Sequence, residues 1–452
     1  MTAPAPTVRL AELIGALSHA LDLTEGQPQG HCIRCCWIGT NLGKALNFSP
    51  QELSDLYFTL LLKDLGCSSN AARICQLYLA DDRSIKSDFK LMDGSLPQAL
   101  RFVFSHTGMQ NGMAERFRAI VHIMRNGGEI AREVIEARCH RGAEIAAIMR
   151  FSPEVSAGIQ NLDEHWDGRG KPDNRSARQI PATAQIALLA QVADVFHMAG
   201  GRQAATAEIK NRAGTWFDPD LVEVFEGLAD WDGLWQGLVS PDLAQHVLAL
   251  EPGEVQRHAD DGYLDDIARG FALVVDSKSP FTAGHSQRVA LFTDLIAEEL
   301  GHAPEKRRWL RRAALLHDIG KLAISNTILD KPAKLTDAEF AVIKTHASHS
   351  RAIVANVAAF ADMADIAGNH HERLDGKGYP NGLAANQINQ DTRILTVADI
   401  FDAMTADRPY RKAMTAATAL SLMEKDVGTA IDADCFNALK SALRRAELPI
   451  AA

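Results

Sequence analysis

His317 and Asp318 stand side by side at the end of an apolar run, Ala314-Leu315-Leu316, and Ile319-Gly320-Lys321 follows them. An imidazole and a carboxylate at a helix end can hold a metal ion, while the glycine lets the backbone turn away behind them. Lys321 lies close enough along the chain to meet a phosphate. Downstream come His346, the pair His370-His371 and Asp399, and upstream lies His285. Imidazole nitrogens and carboxylate oxygens together serve divalent transition metals, and no cysteine lies among these residues. His370 and His371 are consecutive, so on one helix they diverge by roughly 100° and can face two different ions. The set suits two metals bridged by Asp318. Two ions ~3.5–4 Å apart can clamp a phosphodiester and activate water for in-line attack. A lone histidine on a helix usually belongs to surface or core, and His246, His258, His302 and His349 are read that way.

The elements that must carry these residues are helices. Val289, Phe292, Ile296 and Leu300 form an apolar stripe at three-to-four spacing, closed by Gly301. Trp309, Ala313 and Leu316 form a second stripe that leads into His317. Gly, Pro and β-branched runs are too sparse for a β fold, so the expected class is all-α.

The chain also repeats itself. Gly30-His31-Cys32-Ile33-Arg34 echoes Gly284-His285-Ser286-Gln287-Arg288. Thirty-two residues after His31 comes Lys63-Asp64-Leu65-Gly66, and thirty-two after His285 comes His317-Asp318-Ile319-Gly320. Asp167-Gly-Arg-Gly-Lys171-Pro172 matches Asp375-Gly-Lys-Gly-Tyr379-Pro380, and Val192-Ala193-Asp194 matches Val397-Ala398-Asp399. Gly214-Thr215 with Asp218 matches Gly428-Thr429 with Asp432. Five blocks in one order indicate a tandem duplication. We expect one copy over residues 1–230, a packed helical connector over 231–262 and a second copy over 263–447. The first copy is longer between its second and third blocks, which places extra helices at about 68–130.

At 452 residues the chain can form two or three full cores. Hydrophobic content of 46% and charged content of 23% are those of a globular protein. No run of ~18 apolar residues marks a membrane span, and the N-terminus lacks an export pattern. Seven cysteines without a framework spacing fit a reduced, cytoplasmic setting. Cys32, Cys35 and Cys36 read as buried thiols, because no second pair stands at zinc spacing. A net charge of −10 argues against non-specific nucleic-acid binding, and leaves room for a small anion held by local cations and metal.

The second copy resembles the HD-GYP domain, a bacterial branch of the HD metal-dependent phosphohydrolases. The motifs that carry the likeness are Gly284-His285-Ser286, His317 to Lys321, His346, His370 to Pro380, Asp399 to Thr405 and Asp407-Arg408-Pro409-Tyr410-Arg411. The resemblance implies two tandem HD-type bundles and a di-iron or di-manganese centre that hydrolyses a cyclic dinucleotide. It implies His317, Asp318, His346, His370, His371 and Asp399 as ligands, with His285 at the rim as ligand or water contact. Lys321 would clamp the scissile phosphate, and Asp402, Arg408 and Arg411 would bind the bases and phosphates. The Gly378-Tyr379-Pro380 loop would shape the pocket lip and engage a diguanylate-cyclase-type partner. Relatives with a third metal use a Glu four residues before the first His and a Lys four after the last Asp. Phe281 and Ala403 stand there, so two metals are expected. Cyclic di-GMP is the family's default substrate, and mixed cyclic GMP-AMP is the principal alternative. An HD-type nucleotidase and a non-catalytic, ligand-gated interaction protein are the remaining alternatives.

The first copy keeps His31, Asp64, His140 and Asp194, but has Lys63 for the first ligand, Leu162-Asp163 for the paired histidines and Lys171 for the tyrosine. An ammonium there removes a ligand and repels cations. We expect this copy to be catalytically silent and to serve as a scaffold or dimerisation surface, with ligand sensing as the alternative.

Overall fold

Helix starts follow local capping chemistry. Ser49 and Glu52 close a capping box at the head of the Pro50–Leu62 helix, and Thr336 and Glu339 do so for Asp337–Ala355. The computed structural model describes residues 8–92, 95–409 and 411–445, so Tyr410 of the Asp407–Arg411 segment lies outside the described residues. The architecture is all-α, with a single strand pair among the described residues, Val8–Arg9 antiparallel to His258–Ala259. Chain contacts divide it near residue 264 into two units.

In the first unit the His31–Ala45 helix packs on Pro50–Leu62 and on the long Ala182–Asn211 helix. Leu10, Leu13, Ile14 and Leu17 form one apolar face of the Leu10–Glu25 helix, all buried. Ala182–Asn211 is long and apolar enough to span a membrane by composition, but 61% of that window is buried inside the protein. It is a core helix. The insertion carries the Ala71–Tyr78, Asp82–Phe89 and Leu96–His106 helices around a small core of Ile74, Ile85 and Phe102. The Asp232–Leu238 and Leu243–Leu250 helices pack onto the same unit, where Trp37 Nε1 donates to the Leu234 carbonyl at 2.9 Å.

In the second unit the His285–Glu299 helix is central, packing on Pro304–Leu316, Gln390–Thr405 and Ala433–Arg445. Asp337–Ala355 packs on the short turns that follow His317 and precede His370. This arrangement brings ligands that are far apart in sequence to one place.

Candidate metal centre

Two glycines set the positions. Gly284 caps the His285–Glu299 helix at φ 68°, a left-handed conformation that glycine adopts freely, and so fixes His285 as the first helical residue. A Cβ on Gly320 would lie 2.1 Å from the His346 carbonyl oxygen and 2.5 Å from the Ser350 nitrogen. Only a glycine there lets the His317-Asp318 turn lie against the helix that carries His346.

The six expected ligands and His285 converge. His317, Asp318, His346, His370 and His285 are almost fully buried, Asp399 nearly so, and His371 is partly exposed. Asp318 has one oxygen for each side of the cluster. Its Oδ2 lies 3.3 Å from His317 Nε2, and its Oδ1 lies 3.4 Å from His346 Nε2 and 3.8 Å from His370 Nε2. Asp399 Oδ1 lies 3.9 Å from His317 Nε2, and its Oδ2 4.0 Å from His371 Nδ1. The ligand atoms of His346, His370 and His371 form one close group, and those of His317, Asp318 and His370 another.

Backbone carbonyls orient the rings. The Nδ1 atoms of His317, His346 and His370 donate to the carbonyls of Ala314, Ile343 and Ala367, three residues earlier in each case, at 2.6, 2.6 and 2.8 Å. That leaves each Nε2 as a lone-pair donor facing the cluster. Burial pushes His346 down to about 4 and His370 to about 3, so both are neutral imidazoles at ordinary pH. Burial raises the cost of ionising Asp318, but the His317 imidazole and the Lys321 ammonium beside it outweigh that cost and hold it well below the usual carboxylate range. His285 Nε2, His317 Nε2 and Asp318 Oδ1 are buried without a hydrogen-bond partner. Unpartnered buried atoms are costly, and three of them aimed at one cluster of N and O donors fit a bound divalent cation.

The first copy shows what replaces such a centre. A Cβ on Gly66 would meet the Arg138 carbonyl and the Gly142 nitrogen, as Gly320 meets His346 and Ser350. Arg138 therefore holds the place of His346, and His140 does not: it is half exposed beside Glu136. A second register also differs from the sequence reading. Asp194 accepts from His31 Nδ1 at 2.6 Å and from Arg34 Nε at 2.6 Å, just as Asp402 accepts from His285 Nδ1 at 2.7 Å and Arg288 Nε at 2.6 Å. Asp194 is the counterpart of Asp402, and Gln191 takes the place of Asp399. The repeated Val-Ala-Asp letters sit three residues out of structural register, which is nearly one helical turn and so the same face. No imidazole remains at the six ligand places. Lys63 instead pairs with Asp64, and lies 2.9 Å from His31 Nε2 and 3.2 Å from Gln191 Oε1. Arg138 pairs with Asp163. Burial would favour a neutral Lys63, but Asp64 beside it holds the ammonium charged.

The HD domain family matches residues 118–221 and 271–435 of this chain, more than half of its length. The chain belongs to the HD domain family. Among its relatives is the "3'3'-cGAMP-specific phosphodiesterase 3" of Vibrio cholerae, 51% identical over 97% of this chain and 95% of the relative. A cyclic di-GMP phosphodiesterase response regulator of Xanthomonas campestris is 38% identical over 37% of this chain and 45% of its own length. The crystal structure of a cyclic GMP-AMP-specific phosphodiesterase of V. cholerae covers 97% of this chain and 98% of its own, at 46% identity and a TM-score of 0.65. HD-domain phosphohydrolases depend on metal, and the donor cluster accords with membership.

Within this HD fold some expected residues have other work. Asp402 is fully buried and taken up by His285 and Arg288, so it orients the histidine rather than meeting substrate. Arg411 donates to the carbonyls of Ala403, Met404 and Lys412 at 2.6–2.9 Å. It caps the end of the Gln390–Thr405 helix instead of reaching a phosphate. Arg408 pairs through its backbone with Arg411. Lys321 contacts Asp318, and its side chain is 17% exposed. Gly378 lets its loop close on His371, whose carbonyl accepts from the Tyr379 N–H at 3.2 Å, and Pro380 is exposed beside it. Two supporting residues escaped the sequence reading. Glu372 accepts from the backbone of Asn381, Gly382 and Leu383 and so shapes that loop, as Glu164 does in the first copy. Asp276 accepts from Ser286 and anchors the start of the His285 helix. The repeated Arg34 and Arg288 were the available signal for the Asp402 contact.

Proposed function

We propose that the second unit hydrolyses a cyclic dinucleotide, with 3'3'-cyclic GMP-AMP as its preferred substrate. The observation that carries this reading is the Asp318 carboxylate, whose two oxygens face two separate histidine groups within 3.3–3.8 Å. His317, Asp318, His346, His370, His371 and Asp399 would hold two divalent ions, a donor set that suits divalent transition metals, with iron or manganese as the family resemblance implies. When bound, such ions supply Lewis-acid stabilisation of a phosphodiester. The chain's own residues do the rest. Lys321 brings a positive charge to the scissile phosphate, a contact that strengthens as charge builds on its oxygens. His285, held by Asp402, presents Nε2 to the same side of Asp318 at 3.2 Å, outside aligned hydrogen-bond geometry, and positions what binds there. The partly exposed His371 and Tyr379 mark the side from which substrate enters.

The choice of mixed dinucleotide rests on the extent of likeness to the Vibrio relative, which spans nearly the whole of both chains. Cyclic di-GMP is the second reading, favoured by the shorter match to the Xanthomonas regulator. For the first copy we propose a silent scaffold and dimerisation role, and for the Gly378-Tyr379-Pro380 loop a docking role toward a cyclase-type partner. The test is incubation of metal-loaded protein with each dinucleotide, followed by product chromatography. Faster turnover of the mixed dinucleotide is expected. Cleavage of neither sinks the reading.

A further inference from the structure

We propose that Phe340 and Lys344 form, with Tyr379, a stacking ledge for one base of the cyclic dinucleotide. The inference rests on the proposed hydrolase reading and names how that site grips its substrate.

The ledge is built outward from the ligands. His371 and Tyr379 lie ring to ring at 4.7 Å and 33°, and Tyr379 is 6.4 Å from His346. Phe340 follows at 6.2 Å from Tyr379 and 82° to it. Phe340 sits on the helix that carries His346, yet its side belongs to no core: it is 46% exposed. Lys344, one turn further along, places Nζ 5.1 Å from the Phe340 centroid and 6.0 Å from that of Tyr379. Two rings at right angles therefore make a corner beside the metal ligands, with an ammonium over it.

A cyclic dinucleotide matches each part. With its scissile phosphate at the ligand cluster, the attached base extends outward over Tyr379 toward Phe340. A purine lying flat on Phe340 removes exposed aromatic surface from water, and its edge meets Tyr379. Lys344 is long and rotatable, so its ammonium can leave the rings for a phosphate oxygen. Stacking on an aromatic face accepts any base, so this ledge sets affinity and does not distinguish guanine from adenine.

The experiment is steady-state kinetics of the metal-loaded full chain on both 3'3'-cyclic GMP-AMP and cyclic di-GMP, with metal content measured alongside. Phe340→Ala should raise KM roughly tenfold for both substrates, the fold-change expected of one lost base stack, with kcat and metal content held. Phe340→Tyr should restore KM, and Lys344→Met should raise it by a smaller factor. An unchanged KM in Phe340→Ala, or a KM in Phe340→Tyr as poor as in Phe340→Ala, overturns the ledge while leaving the hydrolase reading intact. A wild-type protein that cleaves neither dinucleotide overturns both.

Discussion

Asp402 accepts a hydrogen bond from His285 Nδ1 at 2.7 Å and so turns His285 Nε2 toward Asp318 and Asp399, at 3.2 and 3.4 Å. The first copy keeps the same pair as His31 and Asp194 although its ligand places hold no imidazole. The contact thus ties two central helices whether or not a metal centre is present. In the second copy the orientation is also useful. Asp402→Asn should lower kcat by about 10–100-fold, the usual loss for an outer partner of a metal-site histidine. Full activity in this variant would show that His285 needs no orienter.

Lys63 is buried against Asp64 in the place where the second copy has His317. Removing one member of a buried pair leaves the other charge unpaired and typically costs about 3–5 kcal/mol. Lys63→Met should destabilise the first unit by that amount in denaturant unfolding, and Lys63→Met/Asp64→Leu should recover most of it. Metal content should stay at the wild-type value in both. A gain of metal in the first variant would contradict the reading of Lys63 as the replacement for a cation.

Glu25 lies buried beside Lys90 and Lys86. Burial would push its pKa up, but the two ammonium groups outweigh it and hold the carboxyl at about 2, against an ordinary value of 4.5. A depressed folded-state pKa stabilises above the unfolded value and loses that contribution as pH falls through the folded one. The stability difference between wild type and Glu25→Gln should be full above pH 4.5 and fade toward pH 2. A difference independent of pH across that window would mean that Glu25 is not ionised in the fold.

The metal cluster was legible because its members are rare residue types in a fixed order, and imidazole and carboxylate donors announce themselves. The all-helical class followed from stripes such as Val289 to Leu300. What escaped reading was register. Identity between Val192-Ala193-Asp194 and Val397-Ala398-Asp399 pointed to one alignment, while the hydrogen bonds of Asp194 and Asp402 define another. The place of His346 is held by Arg138, which shares no chemistry with it, so only the close approach at Gly66 and Gly320 reveals the match. Arg411 looked like a phosphate ligand because its donors can serve either an anion or a helix end. Its proximity to the last carbonyls of Gln390–Thr405, a matter of chain folding, decided between them.

The most direct test of the account is a paired measurement of metal content and cyclic-dinucleotide hydrolysis in three proteins. These are wild type, His317→Ala/Asp318→Ala and Lys63→Met/Asp64→Leu, purified without oxygen. Two bound iron or manganese ions with hydrolysis in the wild type and the Lys63 variant, and loss of both properties in the His317 variant, are the expected result. Retention of metal and hydrolysis without His317 and Asp318 would contradict the account and place the chemistry elsewhere in the chain.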